Sequence, residues 1–154
     1  TIRGCRFTQA GTNLNAKICI EDGLTTISSG LTIEDCHAIM YDSANTHFVN
    51  MVGTGDSYII RNNRLMGDWG TMCIGGAGVV THCLIEGNLI RNLATTTNGS
   101  INLAATATGM VYNNHGAGTT AAAAGFTATA CMISQNYYGI IAEDLSGILE
   151  PIAT

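Results

Sequence analysis

Ile60-Arg61-Asn62-Asn63 is the stretch on which the fold is decided. The pattern occurs again as Ile2-Arg3-Gly4-Cys5, Ile33-Glu34-Asp35-Cys36, Ile85-Glu86-Gly87-Asn88, Val111-Tyr112-Asn113-Asn114 and Ile133-Ser134-Gln135-Asn136. Its last position falls at 5, 36, 63, 88, 114 and 136, so the intervals are 31, 27, 25, 26 and 22 residues. Repeats of this length mark a stacked solenoid, in which each unit buries its apolar side against its neighbours.

Aligning the repeats on that position produces columns. Three residues before it stands an unbroken aliphatic column, Ile2, Ile33, Ile60, Ile85, Val111 and Ile133. Two residues after it the positions are mostly apolar: Phe7, Ala38, Leu65, Ile90, Gly116 and Tyr138. Apolar and polar positions alternate on either side of the corner, as strands with one buried face require. The corner column itself reads Cys5, Cys36, Asn63, Asn88, Asn114, Asn136. Asn tolerates the left-handed backbone of a sharp corner, and stacked Asn side chains form amide ladders. Cys does this poorly, so the ladder is expected to weaken at the Cys5–Cys36 end.

Two residues before the corner the column reads Arg3, Glu34, Arg61, Glu86, Tyr112, Ser134. Its signs alternate over four rungs, so stacking in register sets each charge beside an opposite one. As exposed pairs these contribute about 0.2–1 kcal/mol each and select register more than they stabilise. A further side of each turn is expected from Ala16–Ile20, Thr46–Val49, Thr71–Ile74, Ser100–Leu103 and Gly125–Ala128. The expected fold is therefore all-β: a single-domain parallel β-helix over residues 1–142, with about six rungs and three short strands per rung. Residues 143–154 depart from the repeat and are expected to form a C-terminal cap or tail.

Composition agrees. Charged residues make up only 11 % and hydrophobic residues 46 %, with 19 Gly and one Pro, which suits short strands and tight turns. The net charge of -5 and six scattered Lys and Arg give no reason to expect nucleic acid. No long run of large aliphatic residues suggests a membrane span. The six Cys have no C-x-x-C spacing or paired His. They are read as small buried thiols without a metal, and imply synthesis in a reducing cytosol.

The Ile-x-x-Asn/Cys corner with an apolar residue two places on, repeated over residues 2 to 140, resembles the right-handed parallel β-helix of the pectate-lyase-like superfamily. That fold hosts lyases, hydrolases, adhesins and viral spikes. The ending Asp144-Leu145-Ser146-Gly147-Ile148-Leu149-Glu150-Pro151-Ile152-Ala153-Thr154 resembles the short endings of tailed-phage virion proteins. The resemblance implies a non-enzymatic structural module of a phage particle, such as a spike, fibre or decoration protein. It also implies location in the virion, and partners that are further copies, with a trimer as one form, or other virion proteins. Outward apolar residues such as Ile39 and Met66 point to such contacts.

The alternative is a polysaccharide-binding or polysaccharide-degrading β-helix. Hydrolysis needs two carboxylates at least, and Asp56 and Asp68 could meet near Arg61 or Arg64. Adjacent Glu34 and Asp35 are expected to point to opposite faces. The N-T-D, D-D and G-H-G motifs of polygalacturonases are absent, and no catalytic residue, cofactor or metal site is assigned. One column after the corner offers a basic and aromatic stripe, Arg6, His37, Arg64, His115 and Tyr137, interrupted by Leu89. With the loop residue Trp69 it could face a glycan or a partner subunit. The Thr106-Ala107-Thr108 and Thr127-Ala128-Thr129 pairs are similar to arrays of ice-binding solenoids, but only two rungs carry them.

Overall fold

In the computed structural model, residues 1–8, 18–23, 28–40, 47–70, 72–93, 99–120 and 125–140 are described. They form a parallel β-solenoid, with no helix among them. The chain runs through four parallel sheets in succession. The first stacks Ile2–Arg3, Thr32–Glu34, Ile59–Arg61, Cys83–Glu86, Gly109–Tyr112 and Cys131–Ser134. Across the corner, the second stacks Arg6–Thr8, His37–Met40, Arg64–Gly67, Leu89–Asn92, His115–Gly118 and Tyr137–Ile140. The third takes Ile18–Glu21, His47–Asn50, Ile74–Gly75, Ile101–Asn102 and Phe126–Thr127, close to the strands expected for the further side.

A fourth sheet was not foreseen. It joins Ser28–Ser29, Gly55–Asp56 and Val80–Thr81, two residues each, so the coils that carry it have four sides rather than three. Because the sheets hold six, six, five and three strands, complete turns number about four rather than six. The segment 143–154, read as a cap, lies outside the described residues.

Register follows the columns. Ile2 pairs with Ile33, Ile33 with Ile60, Ile60 with Ile85, Ile85 with Val111 and Val111 with Ile133. A shift by one residue would turn this column to solvent. Ile33, Ile60, Ile85 and Val111 are fully buried, each contributing about 1.5–3 kcal/mol of hydrophobic stabilisation. Leu65, Ile90, Val49, Ile74 and Ile101 meet them from the second and third sheets.

The corner turns on a different residue from the one expected. Left-handed backbone belongs to the position just before the Asn/Cys column: Gly4, Asp35, Asn62, Gly87, Asn113 and Gln135, with φ of 64°, 55°, 55°, 61°, 52° and 52°. The Asn residues are thereby released to point inward. A second corner of the same hand joins the fourth sheet to the first at Gly30, Ser57 and His82.

Glycine is needed at position 109, where φ is 136°. A Cβ there would lie 2.0 Å from the Cys83 carbonyl oxygen of the coil below. It would strike backbone that cannot move independently of its own sheet.

Candidate functional site

The inward Asn residues build a ladder. Asn88 accepts at Oδ1 from the backbone N–H of Asn63 (3.1 Å) and from Asn63 Nδ2 (2.9 Å). Its own Nδ2 donates to the Ile60 carbonyl (2.9 Å) and to Asn114 Oδ1 (2.9 Å). Asn114 and Asn136 repeat the arrangement. Every polar atom of a buried amide is thus satisfied. At the other end Cys36 retains only part of this. Its N–H donates to Asn63 Oδ1 (2.9 Å), while its thiol approaches the Glu34 carbonyl at 3.3 Å and the Ile2 carbonyl at 3.9 Å. Cys5 is exposed. The ladder is weaker at the Cys end, since a thiol is a poor donor.

The column two residues before the corner is a charge ladder in register. Arg61 bonds Glu34 through Nε (2.8 Å) and Nη2 (2.7 Å), and reaches Glu86 at 3.9 Å. Arg3 stands 3.6 Å from Glu34. Tyr112 donates its hydroxyl to Glu86, and that carboxylate holds the phenol above its ordinary pKa. Two expectations are corrected here. Glu34 is buried rather than exposed, at 8 %, because guanidiniums cover it from both sides. Asp35 does not point away from Glu34: Arg3 Nε lies 3.1 Å from Asp35 Oδ2. Asp35 occupies the left-handed corner position, where strand alternation no longer applies.

One residue past the corner, Arg6, His37, Arg64, Leu89, His115 and Tyr137 pair in sequence along the second sheet. All six are exposed. His115 and Tyr137 stack at 5.1 Å between ring centroids. Arg6 and Arg64 have no ion-pair partner among the described residues. Partial burial, then the guanidiniums of Arg6 and Arg64, hold His37 below its ordinary pKa. Trp69 leaves this surface altogether. It is fully buried, at 0 %, and its backbone N–H donates to Asn92 Oδ1 (3.1 Å), so it covers the core rather than stacking on a sugar.

Ile39 is also buried, and Met66 half-buried with an Arg91 nitrogen 3.8 Å from its sulfur, so neither presents the open apolar surface expected. Exposed apolar area gathers instead on the last described coil. Met132, Ile133 and Tyr138 are 63 %, 46 % and 63 % exposed.

Asp56 and Asp22 also hold coils together. Asp56 accepts from Ser57 Oγ (2.8 Å) and Thr81 Oγ1 (2.7 Å), and lies 2.8 Å from His82 Nδ1. These bonds, His82 first, lower its pKa to about 2. Asp56 is held by Ser57, Thr81 and His82, and Arg61 by Glu34 and Glu86, so Arg61 is not where Asp56 and Asp68 meet. Asp22, which sequence reasoning passed over, is buried and accepts from the N–H groups of Val52 (2.5 Å) and Gly53 (3.1 Å) and from the Tyr58 hydroxyl (3.1 Å). Tyr58 stands in a column with Leu31, Cys83, Gly109 and Cys131, and its hydroxyl was the available signal. A buried phenol needs an acceptor.

All six Cys are free. Desolvation raises the thiols of Cys19 and Cys83 to about 12 and that of Cys73 well above its usual value, which makes them poor nucleophiles. No three His, Cys, Asp or Glu side chains form a metal-binding group among the described residues. No protein-family model matches the chain, and no curated protein or solved structure is similar to it.

Proposed function

We propose that the chain is a non-enzymatic structural module of a larger particle, a rigid rod of the spike, fibre or decoration type found in tailed phages. The resemblance of its corner repeat to pectate-lyase-like solenoids and of its ending to phage proteins supports the class of particle. The physical support is the open end of the rod. Ile133 and Tyr138 belong to the two inward columns, yet both are exposed, whereas Val111, which pairs with Ile133 one coil earlier, is fully buried. Among the described residues no further strand lies beside Cys131–Ser134 or Tyr137–Ile140, and an apolar end of that kind is a surface for further coils or further copies. The engagement of Glu21, Asp22, Glu34, Asp35, Asp56 and Glu86 within the chain suits a scaffold, because acids that hold coils are not free for hydrolysis.

The expected partner is a second and third copy of this chain. Sedimentation equilibrium should show a concentration-dependent oligomer, with a trimer the favoured form, and Met132→Glu with Tyr138→Glu should shift it to monomer. A wild-type monomer at the highest soluble concentration overturns the proposal.

A further inference from the structure

Each Asn of the corner column is tied to the next by an amide bond, at 2.9 Å from Asn63 to Asn88, 2.9 Å from Asn88 to Asn114 and 3.0 Å from Asn114 to Asn136. Side chains at this position therefore reach one another between coils. On the first two coils the column carries Cys5 and Cys36, both free thiols. Backbone bonds hold these two corners in register on either side, from the Gly4 N–H to the Glu34 carbonyl (3.1 Å) and from the His37 N–H to the Cys5 carbonyl (2.9 Å). The Cys36 sulfur leans towards the first coil, 3.9 Å from the Ile2 carbonyl. Corners one strand spacing apart, about 4.8 Å, fall within the Cα separation that a disulfide spans, about 4.4–6.8 Å.

We propose that Cys5 and Cys36 are a redox-modified pair, closing to a disulfide that staples the first coil to the second when the protein meets a low-molecular-weight disulfide such as oxidised glutathione. The staple does not depend on the assembly proposed above. The other cysteines that share a column are too far apart. Cys83 and Cys131 both pair with Gly109, and Cys19 and Cys73 lie on either side of the strand His47–Asn50. Each of those pairs is separated by two strand spacings, about 9.6 Å, which no disulfide bridges. Closing the Cys5–Cys36 bridge draws the Cβ atoms in to about 3.8 Å. The first coil can make that movement, because Ile2–Arg3 and Arg6–Thr8 are edge strands among the described residues and Gly4 turns the corner between them. Cys5 is exposed and Cys36 buried, so Cys5 meets the oxidant. Its thiolate attacks one sulfur of oxidised glutathione, the S–S bond breaks and one glutathione leaves as thiolate. Cys36 then loses its proton, attacks the Cys5 sulfur of the mixed disulfide and expels the second glutathione. Two protein thiols are oxidised, one small disulfide is reduced, and the two thiol protons pass to the departing glutathiones.

The test places the full chain in glutathione buffers from fully reduced to fully oxidised. Peptide mapping after alkylation should find Cys5 linked to Cys36 within one chain and the other four cysteines alkylated. The staple closes a loop of 31 residues, so the thermal midpoint in oxidised buffer should rise by about 5–10 °C. Amide exchange at His37, whose N–H bonds the Cys5 carbonyl, should slow about ten-fold or more as the first coil stops fraying. Cys5→Ser, at an exposed position, should abolish both changes and leave the midpoint in reduced buffer unaltered. Cys36→Ser should stop at the mixed disulfide, with one glutathione on Cys5. Cys131→Ser should leave the rise intact. A wild-type pair that stays reduced in fully oxidised buffer overturns the proposal. So does glutathione held on Cys5 without a link to Cys36, a bridge between the Cys5 residues of two chains, or a rise in midpoint that survives in Cys5→Ser.

Discussion

Arg61 and Arg64 lie three residues apart on either side of one corner, and their surroundings are opposite. Arg61 is fixed between Glu34 and Glu86, and its partner Glu34 is buried. Arg64 stands on open surface beside His37. The backbone is equally regular on both flanks, so the difference lies in side-chain chemistry. One flank is arranged for stability and register, and the other carries charge at a cost to stability. A solenoid shows such a contrast clearly, because each position recurs once per coil and each column is a series of near-replicates.

The contrast rests on the corner that holds the flanks apart, and the largest effect should come from breaking it. Asn88→Ala removes four hydrogen bonds: the buried Asn63 N–H loses its acceptor, the Asn63 Nδ2 keeps only the Ile33 carbonyl, and the Ile60 carbonyl and Asn114 Oδ1 each lose a donor. The expected loss is about 3–5 kcal/mol, or roughly 10 °C in thermal midpoint. Cys36→Ala should cost only about 1 kcal/mol, since its thiol contacts are weak. Chemical denaturation of the two variants measures the difference, and equal losses would mean that the ladder is not what holds the corner.

Exchanging charge on the two flanks should give effects of opposite sign. Glu34→Gln weakens a pair that Arg61 makes through two nitrogens and leaves the Arg3 and Arg61 guanidiniums facing each other across the strand between them, at a cost of about 1–2 kcal/mol. At a pH low enough to protonate His37, Arg64→Gln relieves repulsion with it and should stabilise the fold by about 0.2–0.5 kcal/mol at low salt, an effect that fades as salt rises. A destabilising Arg64→Gln would show that the unpaired flank has a structural role.

The columns were legible because a single repeat states a pattern weakly and six state it strongly. Alternation about Ile33, Ile60 and Ile85 left one register that buried them all. The left-handed position was harder to place. Asn62-Asn63 and Asn113-Asn114 hide which Asn takes it, and only Gly4 and Gly87 show that it is the first of the pair. The fourth sheet escaped notice because strands such as Gly55–Asp56 are too short to show any period. Gly67-Asp68-Trp69-Gly70 has the composition of a loop, and nothing local reveals that its indole lies in the core. The paired flank was legible as alternating sign. Its burial was not, because burial depends on how the guanidiniums fold over Glu34.

The smallest effect tests the unpaired flank through its protons. His37 is held below its ordinary pKa by partial burial and by Arg6 and Arg64. His47 is shifted the same way by burial, against the opposing effect of Glu21, and its Nδ1 has no hydrogen-bond partner among the described residues. In both cases the unfolded chain binds a proton more readily than the folded one. Stability is therefore complete above the unfolded value of 6.5 and declines as pH falls through each folded value. Imidazole titration followed by NMR should place both histidines below 6.5. Arg64→Gln should move His37 upward and leave His47 in place. A His37 that titrates at or above its ordinary value in the free protein would show that the unpaired flank is already neutralised and that the two flanks do not differ in charge.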